Sequence, residues 1–332
     1  MDGSNNMRSV VGLGMHRSGT SAITKSLELL GVGLGDDLHP AGFDNPKGFW
    51  EDRECIEINN KLLAHLGSAY DRLGIAWDEI KLDPEVSELR LTATQLIARK
   101  LINNNGIWGF KDPRTCRLLG FWKDVFLASA CEVCFVIAVR NPASVAASLA
   151  ARNNISAEKA YFLWLQHVLP PLGFMKDSPR VVVEYDEMLA NPWLQTIRIS
   201  TKLGLPLPNR HNALVKEFEN DFLQSELRHS QFTEADLAKD GRASVIVKKT
   251  YGLLHRLATD QVYLGDPVLK STLDELNELL RTASPAFDYI NDLEDQRLAL
   301  WKGVSERDTQ ISSLNQAVSE RDGQIAGLSQ AV

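Results

Sequence analysis

Residues 10–32 read VVGLGMHRSGTSAITKSLELLGV, and the spacing of the glycines constrains the fold more than any other feature of the chain. A short β-branched run, residues 9–14, ends at Gly14. Beyond it Ile23, Leu27 and Leu30 recur at helical spacing until Gly31 stops the period. The order is strand, glycine turn, helix. The core of the stretch, GMHRSGTS at residues 14–21, fits the phosphate-loop template G-x-x-x-x-G-K-[ST] except that Thr20 stands where the lysine belongs.

Further apolar runs bounded by turn signals occur at residues 106–113, 132–142 and 179–188, and each is followed by a segment of helical composition. Strands that alternate with helices, and that run apolar without clean alternation, predict a parallel sheet covered on both faces, hence an α/β fold. Between residues 31 and 62, glycine, proline and aspartate break any period until a helix resumes near Asp52. Irregular segments of that length in a compact domain are usually functional or disordered. From residue 209 to about 295 the pattern is mostly helical, as in LVKEFENDFLQSELRH and VLKSTLDELNELLR, with no further strand.

The 332 residues are 44% hydrophobic and 24% charged, enough for a large core. The net charge of -7 gives no global attraction to nucleic acid or an anionic membrane, so any anion site has to be built locally. The N-terminal apolar run is too short for a signal peptide. No segment reaches the roughly 18 apolar residues of a membrane span, which predicts a cytoplasmic protein. Cys131 and Cys134 form a C-x-x-C pair, but in ACEVCFVIAV they sit in a β-branched strand pattern. Together with Cys55 and Cys116 they read as buried reduced thiols.

The end of the chain differs in kind. SERDTQISSLNQAV, residues 305–318, is followed at once by SERDGQIAGLSQAV, a 14-residue repeat with ten identical positions. Fourteen residues are two heptads. Val304, Ile311, Val318, Ile325 and Val332 share one heptad position, while Leu300, Leu314 and Leu328 share the other seam position with Arg307 and Arg321. Two readings stand: a coiled coil interrupted by arginine, or a frayed polar helix. The first predicts residues 1–296 as the main domain and 297–332 as a coiled-coil segment that makes a homo-oligomer or tethers another domain. Because the chain stops on a repeat boundary, the array is expected to continue in a longer protein.

In a phosphate loop, backbone N–H groups converge on an anion and the following helix adds the positive end of its dipole. Without the lysine, triphosphate chemistry is disfavoured. A cation is present but displaced: Arg17 lies inside the loop, where its planar fork can hold two anion oxygens, and Ser18, Thr20 and Ser21 add hydroxyl donors. A plain strand-to-helix turn with a solvated arginine is the alternative. A second constellation is VIAVRNPASVAASLAARN. Asn141 and Pro142 read as N-cap and first residue of a helix, which places Arg140 at the carboxyl end of a strand, the edge where open parallel sheets bind ligands. Asn141, Ser144, Ser148 and Arg152 form a polar stripe on that helix, so Arg140 and Ser148 can converge on a second anion.

On these residues the chain resembles the sulfotransferases that use 3′-phosphoadenosine 5′-phosphosulfate (PAPS), most closely their bacterial branch with a GMHRSGTS loop. The family's motif [KR]-S-G-T-[ST], which binds the 5′-phosphosulfate, is similar to Arg17, Ser18, Gly19, Thr20 and Ser21. Its arginine followed eight residues later by a serine, which binds the 3′-phosphate, is similar to Arg140 and Ser148. VVVEYDEMLANP and the LGLP segment at residues 203–206 resemble a third region of the family. The resemblance implies a parallel sheet like that of the phosphate-loop nucleotide kinases. It also implies in-line transfer of a sulfuryl group from PAPS to a hydroxyl or amine of a small-molecule or carbohydrate acceptor, with no metal required. Negative charge gathers on the leaving phosphate, and Arg17, the loop amides and Lys111 are expected to stabilise it.

The acceptor must also lose a proton. Glu51, in DNPKGFWEDRE, is the first expectation for the base, because that loop should cross the top of the sheet and related branches use a glutamate downstream of the first motif. Its other reading is a carboxylate at a helix N-terminus. His16 and Asp112 are the reserve candidates. The lysine-x-histidine motif and the late RKG motif of the cytosolic branch are missing. Lys111 and Arg114 of GFKDPRT belong to the sheet's active edge, Arg114 more as a salt-bridge partner of Asp112. Phe43, Phe49, Trp50, Trp108, Trp122 and Trp164 are candidates for stacking, most of them as core. Two other functions compete: a phosphate-loop kinase, and a non-enzymatic interaction protein with a degenerate nucleotide domain.

Overall fold

The computed structural model describes residues 7–42, 45–74, 83–223 and 231–330. The chain divides into two compact units, residues 1–282 and 283–332. In the first, four strands form one sheet: β1 (Arg8–Gly14), β2 (Ile107–Lys111), β3 (Glu132–Val139) and β4 (Arg180–Glu184). They are parallel in the order β2-β1-β3-β4. All four expected strands are present; β1 begins one residue before its run, and β2, β3 and β4 are shorter than theirs because the turn residues fall outside the ladder. Cys131 is a correction: β3 begins at Glu132, so this thiol precedes the strand and is only half-buried, whereas Cys55, Cys116 and Cys134 are buried and all four are free.

Helices α1 (Thr20–Leu29), α2 (Arg53–His65), α3 (Pro84–Asn103), α4 (Leu119–Ala128), α5 (Pro142–Asn153), α6 (Ala157–Gly173), α7 (Tyr185–Ala190) and α8 (Pro192–Leu203) are interleaved with the strands. They are followed by α9 (Ala213–Glu217), which runs on into a π turn over Phe218–Phe222, then α10 (Glu234–Lys239), α11 (Val245–Ala258) and α12 (Pro267–Thr282). The expected helix LVKEFENDFLQSELRH is thus α-helical only to Glu217 and continues as the π turn to Phe222, and its residues 224–229 lie outside the described ones.

Both faces of the sheet are covered, as strands apolar on both sides require. On one face Ile23 and Leu27 of α1 and Ile199 and Leu203 of α8 pack on Val10, Val136 and Val183. On the other an aromatic chain runs from Phe110 to Trp122, Phe126 and Phe135 at centroid distances of 5.0, 5.7 and 6.1 Å. Trp108, Trp122 and Trp164 are all fully buried, so these candidates for stacking are core. Asn141 caps α5 by accepting from the Ala143 amide, with Pro142 in the first turn, as its sequence predicts.

The strand order positions the site. Leaving β1 the chain turns to one side to make β2 and then crosses to the other to make β3. The loops after β1 and β3 therefore diverge and open a crevice at their carboxyl ends. The loop after β1 carries Arg17; the one after β3 carries Arg140.

The second unit is dominated by one 47-residue helix, α13 (Ser284–Gln330). Val332 of the expected seam lies outside the described residues. Among the described residues no helix is long and apolar enough to cross a membrane.

Candidate functional site

The glycine loop is held in a conformation that costs energy. Arg17 has φ 69, a left-handed backbone worth roughly 1–2 kcal/mol against a side chain with a Cβ. Two contacts hold it there. The Arg17 Nε donates to Ser148 Oγ on α5 at 2.8 Å, and its carbonyl accepts from Arg140 Nη1 at 3.2 Å. Gly19, the N-cap of α1, has φ 75 and no side chain caps the helix. A Cβ at Gly19 would lie 2.0 Å from the Tyr185 ring, so only glycine lets the loop pass. The same ring faces the Arg140 guanidinium, 5.1 Å from its centroid.

The motifs after β1 and β3 thus form one cluster of Arg17, Ser148, Arg140 and Tyr185. The helix start next to it has N–H groups that its own turns cannot satisfy. Ser18 is fully buried and its hydroxyl has no hydrogen-bond partner among the described residues. Thr20, 6% exposed, packs its methyl 3.1 Å from where a Cβ on Gly14 would stand. The Ser21 hydroxyl donates to the Phe49 carbonyl and accepts from Asn45, tying the irregular segment after α1 across the top of the loop. This arrangement fits an anion.

The cluster lines a cleft of about 750 Å³ whose walls also include Lys47, Phe49, Glu51, Lys111, Arg152 and Phe222. That is within the usual size of a small-molecule site. Lys111, at the end of β2, donates to Glu51 Oε1 at 2.7 Å, and both are nearly buried, at 2% and 5% exposed. Glu51 does not cap α2. Asp52 does, accepting from the Glu54 and Cys55 amides, and it pairs with Lys100 at 2.6 Å.

Asp112 is fully occupied: it accepts from both the backbone and Nη1 of Arg114 and from Asn59, which itself accepts from Trp122. A carboxylate with these partners is a structural post. Arg114 forms the salt bridge with Asp112 that its sequence neighbourhood suggests, at 2.8 Å. His16 adjoins the cleft between Tyr70 and His167, with ring centroids 5.6 and 6.2 Å away. Burial, and then the cations around it, hold its imidazole well below the usual histidine range. Trp50 and Phe49 are half-buried, Trp50 under the Lys25 ammonium at 4.2 Å; Phe43 lies outside the described residues. No group of three or more His, Cys, Asp or Glu that could hold a metal occurs among the described residues.

Sequence reasoning attached no site role to Tyr185, Lys47, Phe222 or Leu223. Tyr185 meets Gly19 across more than 160 residues, and Phe222 and Leu223 reach the cleft from beyond α9. No local pattern signals such contacts.

His167 gives a pH prediction. It is fully buried on α6, its Nδ1 is 2.7 Å from the Leu163 carbonyl, and burial together with the Arg117 charge lowers its pKa to about 3. The unfolded chain binds a proton near pH 6.5. Between these values unfolding takes up a proton, so the native state is fully stable above about pH 6.5 and loses up to about 1.4 kcal/mol per pH unit as pH falls toward 3. Guanidinium denaturation from pH 7.5 to 5 should show this decline, and His167→Phe should remove one group's share of the slope.

No family profile and no curated protein matches the chain. Solved structures of similar shape include the sulfotransferase domain of the Synechococcus PCC 7002 olefin synthase, at 17% identity and TM-score 0.41, covering 79% of this chain and 97% of that one. A sulfotransferase of Mycobacterium avium is similar at 16% identity and TM-score 0.37 over 77% of each chain. One of Mycobacterium tuberculosis H37Rv is similar at 14% identity and TM-score 0.37, over 74% of this chain and 76% of that one.

Proposed function

We propose that the protein is a PAPS-dependent sulfotransferase, with the chemistry in residues 1–296 and the coiled-coil segment in 297–332. The observation that carries this reading is the contact of Arg17 with Ser148 beside Arg140, which gathers two separate anion-binding motifs at one crevice. The Arg17 fork and the first amides of α1 take the 5′-phosphosulfate; Arg140 and Ser148 take the 3′-phosphate. Thr20 in place of lysine, buried against the loop, disfavours a nucleoside triphosphate. The free thiols suit the cytoplasm.

In the transfer, an acceptor oxygen or nitrogen forms a bond to sulfur as the bond from sulfur to the donor phosphate breaks. Arg17 and the α1 amides offset the charge that gathers on the leaving oxygen, and they are in place before it develops. Glu51 receives the acceptor proton, and Lys111 fixes the carboxylate at the cleft wall. The acceptor is a small molecule or carbohydrate that enters beside Phe49 and Phe222.

Calorimetric titration tests the donor. The protein should bind 3′-phosphoadenosine 5′-phosphate in the micromolar range and should neither bind ATP as tightly nor turn it over with magnesium. ATP turnover without binding of the bisphosphate would make it a kinase, and binding of neither an interaction protein.

A further inference from the structure

Among the described residues, the helix α13 has little to support it from Leu300 onward. It spans about 70 Å at 1.5 Å per residue. Gly303, Gly323 and Gly327 each cost about 1 kcal/mol of helix stability relative to alanine. Among the described residues, the side-chain hydrogen bonds that compensate there include Thr309 to the Ser305 carbonyl and Gln316 to Glu320. The apolar seam is in water. Val304, Ile311, Val318 and Ile325 are 51–61% exposed, and Leu300, Leu314 and Leu328 are 65–72% exposed. A helix with such propensities is held by burial of an apolar face.

The seam states what kind of partner buries it. Its first heptad position is β-branched throughout and its second is leucine wherever it is apolar, the combination that favours two parallel strands. Every fourteenth residue that second position is arginine, Arg307 and Arg321, and each is followed at once by an aspartate, Asp308 and Asp322. In a parallel pair, a residue at this seam position packs beside the following position of the other chain. Each arginine can then lay its stem along the seam and reach the other chain's aspartate with its guanidinium. An antiparallel pair instead sets the aspartate-bearing flanks of the two helices against each other.

We propose that residues 300–330 form a parallel, in-register, two-stranded coiled coil with a second copy of this chain. Reciprocal Arg307–Asp308 and Arg321–Asp322 pairs between the copies fix its register. Polar layers of this kind trade stability for one register and one oligomeric state. The inference rests on α13 alone and is independent of the chemistry proposed for the cleft.

Sedimentation equilibrium of the full 332-residue chain tests it. At tens of micromolar the protein should have twice the mass of one chain. The double variant Ile311→Asp/Val318→Asp should fall to the mass of one chain and lose helical circular dichroism, while the unfolding transition of residues 1–282 stays in place. Arg307→Asp/Arg321→Asp, which sets like charges together, should weaken association at least tenfold, whereas Arg307→Leu/Arg321→Leu should not weaken it. Leu328→Cys should give a disulfide-linked dimer on oxidation. A single-chain mass, a larger oligomer, a dimer that survives Ile311→Asp/Val318→Asp, or a dimer whose Leu328→Cys variant fails to cross-link would each overturn the proposal.

Discussion

Arg17→Ala is expected to lower kcat/KM for sulfuryl transfer from PAPS by 10²–10³-fold, the usual effect of removing one preorganised donor to developing negative charge. The expectation rests on geometry. The Arg17 side chain lines the cleft and is anchored through Nε to Ser148, and its backbone is held in the left-handed region next to the uncapped start of α1. Arg17→Lys keeps the charge but loses the fork that spans Ser148 and an anion, so it should recover little of the rate. Arg140→Ala should act mainly on binding, raising KM for the donor and lowering affinity for the bisphosphate product at least tenfold, because Arg140 faces the 3′-phosphate in this reading. The two substitutions should be non-additive: the Arg140 guanidinium donates to the Arg17 main-chain carbonyl, so Arg140→Ala already loosens the loop on which Arg17→Ala acts. Steady-state rates with labelled donor, read beside calorimetry of the bisphosphate, separate the effects. An Arg17→Ala enzyme within threefold of the parent would remove the loop from the chemistry.

The legible parts of the molecule are those encoded locally. The four strands are short runs of β-branched or aromatic residues near glycine, proline or asparagine, and the caps at Asn141 and Asp52 are set by residues within three positions of each other. The glycine loop and the Arg140, Ser148 spacing could also be read, since each occupies one stretch of chain. What could not be read is what the topology supplies. Nothing in residues 14–21 announces that Ser148 accepts from Arg17, because that contact needs β3 beside β1 and α5 on top. Glu51 shows the same limit. Its position before a helix suggests an N-terminal carboxylate as readily as a cleft residue, and it is the placement of Lys111 at the end of β2 that gives it a close ion pair while Asp52 takes the cap. Asp112 is a reserve base in the sequence and Arg114 its expected partner, but only the fold shows that Asn59 of α2 also occupies its oxygens.

The Glu51 and Lys111 pair carries the other large expectation, one of stability and rate together. Both groups are almost out of water, so removing one partner strips the other of its main compensating charge, which typically costs about 3–5 kcal/mol, and Glu51 without Lys111 keeps only Arg114 at 3.9 Å. Glu51→Gln and Lys111→Met should each lower the unfolding free energy by about that amount, less for Glu51→Gln because its amide oxygen still accepts from Lys111. The double variant Glu51→Gln/Lys111→Met should be more stable than the sum of the singles predicts, since no lone charge remains. The rate distinguishes a proton acceptor from a post. As the base, Glu51 gives a Glu51→Gln enzyme that binds the bisphosphate normally at a temperature where it is folded, yet transfers the sulfuryl group 10²–10⁴-fold more slowly. If the pair only braces the cleft, the rate should follow the folded fraction, and the double variant should regain activity along with stability. Denaturant titrations and single-turnover rates on the same four proteins decide it. Restored transfer in Glu51→Gln/Lys111→Met would exclude Glu51 as the base and leave His16, whose imidazole stays neutral beside the cleft, as the group to substitute next.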